Sequence, residues 1–585
     1  MTNFTALEIM EKRWTIKPAG DETITKKLIQ ELGIDKVTAN LLIQRGITSF
    51  EDARKFFRPS LETLHDPFLM KDMDKAVERL EKAIKQKEKI LVYGDYDVDG
   101  TTSVALLYSF LKKIIARENG AFNELIDYYI PDRYAEGYGI SFQGIDFAKE
   151  NNFTLIVALD CGIKAIDKID YANERNIDFI ICDHHRPGNE LPKAVAVLDP
   201  KRSDCTYPYD ELCGCGVGFK LAQAFIQKNN LPFEELTEYL DLTAISIAAD
   251  LVPITGENRT LCYYGLKQLN ENPRKGIKAI LDLAEIKREI TINELVFTVG
   301  PRINAAGRIE SARNAVELLV SDTHENAKNS GININVTNLE RRSLDQMITQ
   351  QALAMIAESP ELISRKSTVL FHPEWHKGVI GIVASRLIDK YYRPTIILTE
   401  SNGMATGSAR SVKDFDVYDA IEACSDLLEQ FGGHKYAAGL TLKLENIAAF
   451  QKRFEEVVTA SIKDHQLIPE IEIDAFIELK EITPKFFRIL KQFSPFGPGN
   501  MSPVFATKKM IDKGFVRIVG NNHLKLDLHA IDNSSAAFSS IAFGQAVHFD
   551  AALQKKSFSA CYTIEENNYN GNVSLQLNVK DLKVD

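Results

Sequence analysis

A chain of 585 residues, of which 45% are hydrophobic and 26% charged, has the composition of a globular protein with about three to five domains. The same mix excludes a disordered, collagen-like or disulfide-knotted protein. Lysine and arginine number 70 against 81 aspartates and glutamates. The resulting net charge of −11 argues against a nucleic-acid-binding protein, unless the acidic residues cluster around metal ions.

The N-terminus lacks the apolar core of a signal peptide, and no segment reaches the roughly 18 apolar residues of a membrane helix. Two of the eight cysteines lie in apolar strand-like runs, which is typical of reduced thiols in a cytosolic protein. The one close pair, Cys213 and Cys215, lacks two further ligands at zinc-site spacing, so we interpret it as structural. The sequence therefore predicts a cytoplasmic protein without membrane association.

The first 75 residues contain short helical patterns, at 23–32 and 36–45, and we interpret residues 1–75 as an N-terminal helical accessory segment. Residues 76–320 form the next predicted domain, in which apolar strand-like runs alternate with helix-sized connections. Its strands are predicted at 89–93, 155–159, 179–182 and 195–198, with helices at 73–86 and 101–115. This alternation predicts an α/β fold with a parallel sheet.

The pattern of polar and apolar residues changes twice in the second half of the chain. Residues 321–360 are polar and favour helix, which predicts a long connecting helix. Residues 361–465 return to the α/β pattern and predict a second, smaller α/β domain. Residues 466–585 alternate between polar and apolar side chains, which predicts a small β-barrel.

The most informative feature is the position of acidic residues at the ends of the predicted strands. Because the carboxyl ends of parallel strands meet at one edge of the sheet, four strand ends are expected to point polar groups into one crevice. These groups are Asp95, Asp97 and Asp99 after the first strand, Asp160 after the second, Asp183, His184 and His185 after the third, and Asp199 after the fourth.

Oxygen ligands together with imidazole suit Mg²⁺ or Mn²⁺. Crowded carboxylates repel one another unless cations neutralise them, and a two-ion site is the usual apparatus for attack of water on a phosphodiester. A single aspartate at a strand end is more often a helix cap or a turn former. The coincidence of such residues on successive strands nevertheless favours a metal site.

The Asp183–His185 motif resembles the signature of the DHH phosphoesterase family. Five further blocks carry the same resemblance: Tyr93–Ser103, Pro131–Ser141, Ala158–Gly162, Ala248–Pro253 and Gly300–Arg308. The second α/β domain resembles the domain associated with this family, at Gly407–Ser411 and Gly432–Gly439. The C-terminal barrel resembles an OB-fold, and Pro495–Asn500 leads into it. Within the family, the motifs are most similar to those of a bacterial 5′→3′ exonuclease.

The resemblance implies two divalent cations, Mn²⁺ or Mg²⁺, held by Asp97, Asp99, Asp160, His184 and Asp250, with Asp160 as the bridge. It implies that Asp95 orients a ligand or the attacking water and that Asp183 orients the neighbouring imidazole. His185 is expected to contact the scissile phosphate or the leaving oxygen. The sequence around Asp250 favours a buried structural carboxylate and a metal ligand equally. Only the resemblance assigns Asp250 to the metal.

The resemblance also implies a set of substrate-binding residues, namely Arg133, Arg308, Ser408, Arg410, Gly433 and His434. Tyr134 and Tyr138 are expected either to stack on bases or to pack in a core. The stretch Cys213–Gly218 also resembles a family segment, and we interpret it as a structural turn.

The function implied is hydrolysis of single-stranded DNA from its 5′ end to 5′-mononucleotides, in DNA recombination, repair and mismatch repair. A single strand is expected to thread between the two α/β domains, where a duplex is too wide, while the barrel grips it. The expected partners are single-stranded DNA, single-strand-binding protein and a helicase, and we expect a monomer.

Three alternatives belong to the same superfamily. A phosphoesterase for short oligonucleotides is usually about half this length and lacks the barrel of residues 466–585. A non-catalytic replication scaffold has lost most metal ligands, whereas all of the expected ligands are present here. An inorganic pyrophosphatase would carry a histidine at the position of Tyr93.

Overall fold

The computed structural model describes residues 10–120, 123–569 and 572–585. The first nine residues of the predicted accessory segment therefore lie outside the described residues. The chain divides into two compact units: the larger comprises residues 55–341 and 494–501, and the smaller comprises the described parts of 1–54, 342–493 and 502–585. Within the described ranges, no helix combines the length and apolar character needed to cross a membrane.

The N-terminal segment begins with a strand, β1 (Arg13–Ile16), and continues with three helices, α1 (Glu22–Leu32), α2 (Lys36–Ile43) and α3 (Phe50–Phe57). Asp21 and Asp35 accept hydrogen bonds from first-turn amides of α1 and α2, which explains where these two helices start. The sequence did not predict β1, because its parallel partner is Glu470–Ile473, far away along the chain.

The larger unit contains a five-stranded sheet in which every neighbouring pair is parallel. Its strands are β2 (Lys89–Gly94), β3 (Ile126–Tyr129), β4 (Phe153–Leu159), β5 (Asp178–Cys182) and β6 (Ala196–Leu198). The order is β3-β2-β4-β5-β6, so the chain reverses its direction across the sheet at the gap between β2 and β4. A reversal of this kind opens a crevice at the carboxyl ends of the two strands.

Helices cover both faces of this sheet. Along β2, Ile90 and Val92 join one apolar core, whereas Leu91 and Tyr93 join another on the opposite face. The helices of the unit are α4 (Met73–Gln86), α5 (Val98–Asn119), α6 (Phe142–Glu150), α7 (Ile166–Glu174), α8 (Gly214–Lys228), α9 (Glu234–Thr237), α10 (Leu240–Ala249), α11 (Gly256–Glu271), α12 (Lys275–Leu283), α13 (Ile292–Glu294), α14 (Gly300–Ile309) and α15 (Arg313–Leu319).

Two details differ from the predicted elements. The short strand β3 was not predicted, since its sequence, Ile-Asp-Tyr-Tyr, contains no apolar run. Helix α5 begins three residues before its predicted start at Thr101, because Asp97 caps it by accepting the Gly100 amide. Asp99 therefore lies in the first turn of a helix and not in a loop.

The long helix α16 (His324–Ala357) falls in the segment predicted to connect the two α/β domains. The α/β part of the smaller unit contains α17 (Pro360–Ser364), β7 (Thr368–Phe371), α18 (Ile380–Tyr391), β8 (Thr395–Ser401), β9 (Met404–Arg410), α19 (Val417–Glu422), β10 (Gln430–His434), β11 (Ala437–Lys443) and α20 (Ile447–Ser461). Its sheet has the order β10-β11-β9-β8-β7, and only the pair β7–β8 is parallel.

The C-terminal part contains β12 (Glu470–Ile473), β13 (Ala475–Phe476), α21 (Pro484–Lys491), β14 (Phe505–Asp512), β15 (Arg517–Val519), β16 (His523–Ala530), β17 (Phe538–Ala542), α22 (Phe549–Leu553), β18 (Phe558–Tyr569) and β19 (Asn572–Val584). The additional pairing of β14 with β16 closes β14, β18, β19, β17 and β16 into a barrel. Buried and half-buried residues alternate along β16, as expected for a strand with one face in a barrel core.

Candidate metal centre

The predicted site residues of the larger unit meet at the gap between β2 and β4. Asp95 follows β2 directly, Asp97 caps α5, and Asp160 follows β4. Because α5 starts so soon after β2, all three aspartates of the first motif stay at the edge of the sheet. The site therefore lies where the strand order reverses, which is the usual ligand position in an open parallel sheet.

The Asp99 carboxylate is buried, and its orientation is determined by donors from two other helices. Its oxygens accept the backbone N–H groups of Gly214 and Cys215, at 2.7 and 2.8 Å, from the first turn of α8. The hydroxyl of Ser246, in α10, donates to the same carboxylate at 2.6 Å. The first-turn amides of α8 therefore fix the direction in which the Asp99 carboxylate points.

Asp160 has a left-handed backbone conformation, with φ of 59°, which is uncommon for a residue other than glycine. Its amide donates to the Cys182 carbonyl at 2.9 Å, so the turn continues the edge of the sheet. A Cβ atom at Gly214 would lie 2.6 Å from the Asp160 Cβ, which explains why α8 begins with glycine here. Unfavourable backbone conformations of this kind are maintained at functional sites by the packing around them.

The His184 Nε2 atom lies at the centre of three carboxylates. It is 3.1 Å from Asp160 Oδ1, 3.6 Å from Asp99 Oδ2 and 3.6 Å from Asp250 Oδ2. The imidazole of His184 is nearly completely buried, and Asp250 immediately follows α10. Ligand atoms of Asp99, His184 and Asp250 all lie within 4.8 Å of one another, a spacing that accommodates one cation.

A second cluster shares Asp160 with the first. Ligand atoms of Asp95, Asp97 and Asp160 also lie within 4.8 Å of one another. Asp95 is completely buried, and neither of its carboxylate oxygens has a hydrogen-bond partner among the described residues. Asp95, for which the family resemblance implied an orienting role, is therefore as well placed to bind a cation as the two carboxylates beside it.

The chemistry of the two clusters fits divalent cations. Burial and the charge of Asp99 raise the pKa of Asp160 well above its usual value, and burial and the charge of Asp97 do the same for Asp95. The Asp160 Oδ1 atom and both His184 ring nitrogens are buried without hydrogen-bond partners in the described part of the chain. Buried polar atoms and repelling carboxylates of this kind require compensation, which Mg²⁺ or Mn²⁺ would supply.

His185 is half-exposed beside the first cluster, and Asp183 determines its orientation. The Asp183 Oδ1 atom lies 2.8 Å from His185 Nδ1. Burial opposes the charge of this imidazole, but the hydrogen bond and the charge of Asp183 outweigh it and raise the pKa of His185 to about 9. His185 Nε2 points away from Asp183 and lies 3.2 Å from the Tyr138 hydroxyl.

Aromatic and cationic side chains lie next to this imidazole. The guanidinium of Arg133 lies 4.9 Å from the centre of the Tyr96 ring, and Tyr96 contacts Tyr138 edge to face. The Tyr134 hydroxyl donates to the Arg308 carbonyl, so the two segments that carry Arg133 and Arg308 are joined. Tyr138 is 55% exposed, which excludes core packing and leaves its ring accessible.

Asp199 does not join either cluster within the described ranges, contrary to the prediction that all four strand ends contribute. Its strand, β6, lies at the edge of the sheet, two strands away from β4. The Asp199 carboxylate accepts the Lys201 amide at 2.7 Å and so stabilises its own turn.

The remaining predicted substrate-binding residues lie on one sheet of the smaller unit. Ser408 and Arg410 are on β9, and the Arg410 guanidinium donates to the Ser408 hydroxyl at 2.9 Å. His434 ends β10, and the pairing of Ala437 with both His434 and Arg410 places the latter two in one row across the sheet. Gly433, beside His434, has a φ of 147°, a backbone region that favours glycine.

A glycine in α18 leaves space beside this pair. A Cβ atom at Gly381 would lie 2.8 Å from both the Ser408 hydroxyl and the Arg410 guanidinium. A hydroxyl, a guanidinium and the first turn of a helix therefore converge, and this combination suits a phosphate group.

Sequence reasoning did not identify the residues that hold Asp99. The stretch Cys213–Gly218 was interpreted as a structural turn, yet it forms the first turn of α8 and donates two amides to Asp99. Ser246 could have been identified from the sequence, because it is one of the few polar residues in the apolar helix α10 and lies one turn before Asp250.

Three family models match the chain. The DHH family N-terminal domain matches residues 89–247, the DHHA1 domain matches 364–460 and the RecJ OB domain matches 473–581. The parallel sheet, the mixed sheet and the closed barrel lie in these three regions, in that order. The predicted fold class is therefore confirmed.

Curated relatives and solved structures agree with these matches. The single-stranded-DNA-specific exonuclease RecJ of Bacillus subtilis (strain 168) is 37% identical over 581 residues, which cover 98% of this chain and 71% of that protein. The exonuclease of the same name from Escherichia coli (strain K12) is 31% identical over 569 residues, covering 93% of this chain and 95% of that protein. The crystal structure of RecJ from Thermus thermophilus in complex with Mn²⁺ has a TM-score of 0.82 and 26% identity, covering 98% of this chain and 79% of that chain. The chain therefore belongs to the family of the single-stranded-DNA-specific exonuclease RecJ.

Proposed function

We propose that this protein degrades single-stranded DNA from the 5′ end to 5′-mononucleotides by two-metal hydrolysis of phosphodiesters. The observation that carries the proposal is the sharing of Asp160 between two clusters of candidate ligands, one with Asp95 and Asp97 and one with His184. Two close cations that shared this carboxylate would supply the chemistry for phosphodiester hydrolysis, namely activation of water and stabilisation of the leaving oxygen. The names of the relatives support single-stranded DNA as the substrate.

In this proposal, Asp99, His184 and Asp250 would hold one cation and Asp95 and Asp97 the other, and Asp160 would be shared between them. Bound cations of this kind activate water and neutralise the charge that develops on the phosphate. The donors from Gly214 and Ser246 keep the Asp99 carboxylate in one orientation, so that its binding geometry is already formed before a cation arrives.

His185 is the proposed proton donor to the scissile phosphate or the leaving oxygen. In the metal-free protein its pKa is raised to about 9, against the effect of burial, by the hydrogen bond and charge of Asp183, so the imidazole there carries its proton at neutral pH. Because Asp183 occupies Nδ1, the proton available to the substrate is on Nε2. Arg133 and Arg308, on the joined segments beside Tyr138, are proposed to bind the neighbouring phosphates.

Ser408, Arg410, Gly433 and His434 are proposed to hold the 5′ end of the strand. The space that Gly381 leaves beside Ser408 and Arg410 supports a terminal phosphate as the bound group. A strand held by its 5′ end is shortened from that end, which is the proposed polarity of the enzyme.

The barrel is proposed to bind the strand away from its 5′ end. Arg517 and Lys525 are cross-strand neighbours, so their charges lie on the same face of the sheet. Phe515 is 64% exposed, and the Asp512 carboxylate holds the preceding turn by accepting amides from Gly514, Phe515 and Val516. An exposed aromatic ring on a hydrogen-bonded turn, two residues before Arg517 in the sequence, is suited to stacking on a base.

The proposed cellular role is in DNA recombination, repair and mismatch repair in the cytoplasm. A monomer that receives single strands from a helicase, in the presence of single-strand-binding protein, is the expected working form. This part of the proposal is supported by family membership and not by a feature of the site.

One digestion series tests the proposal. The protein is incubated with Mn²⁺ and with 5′-phosphorylated single strands, 5′-blocked single strands and duplexes, each labelled at either end. We expect mononucleotides from the 5′ end of accessible single strands and little cleavage of duplexes. Equal cleavage of duplexes, or release from the 3′ end, would refute the proposed function. Cleavage confined to di- and trinucleotides would favour the alternative of a short-oligonucleotide phosphoesterase.

A further inference from the structure

The loop of residues 494–501, which contains the Pro495–Asn500 motif, has no role in the proposed chemistry. In sequence it lies between α21 and β14, which both belong to the smaller unit, yet the loop itself belongs to the larger unit. The loop therefore makes its principal contacts within the larger unit. Those contacts indicate the role of the loop.

Hydrogen bonds within the 494–501 loop hold its conformation. The backbone amides of Gly497 and Asn500 each donate to the carbonyl of the other, at 3.1 and 2.8 Å. The Asn500 side chain donates to the Pro495 carbonyl at 2.8 Å, and Asn500 is 2% exposed. The loop therefore presents a fixed surface.

That surface packs against the segment that follows Asp250. The Ile254 amide donates to the Pro498 carbonyl at 2.7 Å. A Cβ atom at Gly497 would lie 2.4 Å from Ile254 Cδ1, and one at Gly499 would lie 2.9 Å from Thr255 Cγ2. Gly499 also has a φ of 72°, which disfavours other residues. A side chain at position 497 would therefore displace the Ile254 side chain, and one at position 499 would displace that of Thr255.

Arg259 holds the start of the loop against the same helix region. Its guanidinium is buried and donates to the Ser494 carbonyl at 2.9 Å and to the Pro495 carbonyl at 3.3 Å. Since Arg259 lies in the first turn of α11, directly after the segment 251–255, the loop is attached at two points around that segment.

The position of the Asp250 carboxylate is determined mainly by the backbone of Asp250, whereas hydrogen bonds to the side chain orient Asp99. Three donors orient the Asp99 carboxylate, whereas the described residues provide no hydrogen bond to the Asp250 carboxylate. Before Asp250, helix α10 holds the backbone, through the Asp250 amide and the Ser246 carbonyl at 2.9 Å. After it, Leu251 has a φ of 59°, an uncommon conformation that the following residues must maintain.

We propose that the 494–501 loop is a positioning element for Asp250, acting through Gly497, Pro498 and Gly499 on residues 253–255. The loop contacts neither cation nor substrate in this proposal. It sets the direction in which Asp250 leaves α10, and therefore how well this carboxylate meets the cation. The inference rests on the proposed metal centre.

The test uses the whole 585-residue chain and measures Mn²⁺ binding by calorimetry, together with the melting temperature without metal. The variants are Gly499→Ala, Gly497→Ala and the double variant Gly497→Ala/Ile254→Val, which removes the Cδ1 atom that a Cβ at position 497 would meet. Ser494→Ala is the matched control, since its exposed side chain lies in the same loop and its carbonyl is retained.

We expect each single glycine variant to weaken one Mn²⁺ binding step about tenfold, as is usual when support for a metal ligand is lost. Ile254→Val should restore most of that affinity to Gly497→Ala, and Ser494→Ala should bind like the wild type. Nuclease assays should show a higher Mn²⁺ requirement with a smaller change in the rate at saturating Mn²⁺.

Unchanged Mn²⁺ affinity in both glycine variants would overturn the inference while leaving the metal centre intact. If Gly499→Ala does not fold, the comparison of Gly497→Ala with Gly497→Ala/Ile254→Val is decisive. The inference would be overturned if the double variant bound Mn²⁺ no more tightly than Gly497→Ala. A wild-type protein that binds no Mn²⁺ would instead refute the proposed function, and the inference with it.

Discussion

The Asp183 carboxylate lies 2.8 Å from His185 Nδ1 and also accepts the backbone amides of Ile163, His184 and His185. Both of its oxygens are therefore engaged within the protein. Burial raises the pKa of Asp183, but the hydrogen bond and charge of His185 together with these amides outweigh it and lower the pKa to about 2. The first residue of the Asp-His-His motif thus orients the His185 imidazole and holds the backbone of both histidines, and it is not a candidate cation ligand.

Replacing Asp183 by Asn tests this role. The amide keeps the shape but removes the charge that holds the proton on His185, so we expect kcat to fall by about 10²- to 10⁴-fold. Mn²⁺ affinity should change only a few-fold, because Asp183 does not face a cation. The matched control is Glu150→Gln, an exposed carboxylate at the end of α6. A variant with wild-type kcat would contradict the orienting role.

Asp160→Ala removes the carboxylate that the two clusters share. We expect no detectable cleavage and a lower number of Mn²⁺ ions bound per chain in calorimetry. Asp199→Asn is the control, since it is also an aspartate at a strand end but lies outside both clusters. Retained activity in Asp160→Ala would show that the bridging assignment is wrong.

Ser246→Ala deletes one of the donors to Asp99, at 2.6 Å. Loss of a group that orients a metal ligand typically weakens metal binding or activity by about 10- to 100-fold, and we expect the lower part of that range because two amides remain. Mn²⁺ titration of the activity measures the effect. Ser321→Ala, whose hydroxyl donates only to the Glu317 carbonyl on an exposed surface, should behave like the wild type.

The pH dependence of metal binding follows from Asp250. Burial, followed by the charge of Asp99, raises its pKa to about 8, far above its value in an unfolded chain. Without metal, the folded protein therefore holds a proton that the unfolded chain has lost between about pH 4 and 8, so its stability decreases as the pH rises through that window. Mn²⁺ must displace this proton, and its affinity should increase from pH 6 to pH 8.

Melting temperatures with and without Mn²⁺ measure this effect directly. We expect the increase in melting temperature caused by Mn²⁺ to be larger at pH 8 than at pH 6, and calorimetry in buffers of different ionisation enthalpy should detect proton release. An increase that is the same at both pH values would contradict the raised pKa of Asp250.

Phe515→Ala tests the barrel. Stacking on one base contributes about 1–3 kcal/mol, so binding of a long single strand should weaken by about 5- to 150-fold. Cleavage of a trinucleotide should be unaffected, because in our proposal the barrel binds only the part of a strand that is remote from its 5′ end. Leu553→Ala, a similarly exposed apolar side chain on α22, is the control. Equal loss in both variants would argue against a specific stacking role.

The local pattern of the sequence was sufficient to predict the centre of the site. Alternation of strands and helices predicted a parallel sheet, and the carboxyl ends of parallel strands must share an edge. Asp97, Asp160 and His184 could therefore be placed together from the order of residues along the chain. Strand and helix limits differed by only a few residues where the predicted segments were found.

The net charge of −11 was misleading because it sums over the whole chain. The electrostatic property that matters is local, namely the group of buried carboxylates that cations can neutralise. The family motifs carried that information, and composition did not.

Other features depend on contacts between residues that are distant in the sequence, and only the tertiary structure decided them. Asp199 carries the same local signal as Asp160, but its strand lies at the edge of the sheet and its carboxylate stays in its own turn. Asp99 is held by α8 and α10, and the segment after Asp250 is packed against the 494–501 loop. Sequence periodicity reports which face of an element is apolar, whereas the orientation of a metal ligand depends on hydrogen bonds from elements that meet only when the chain folds.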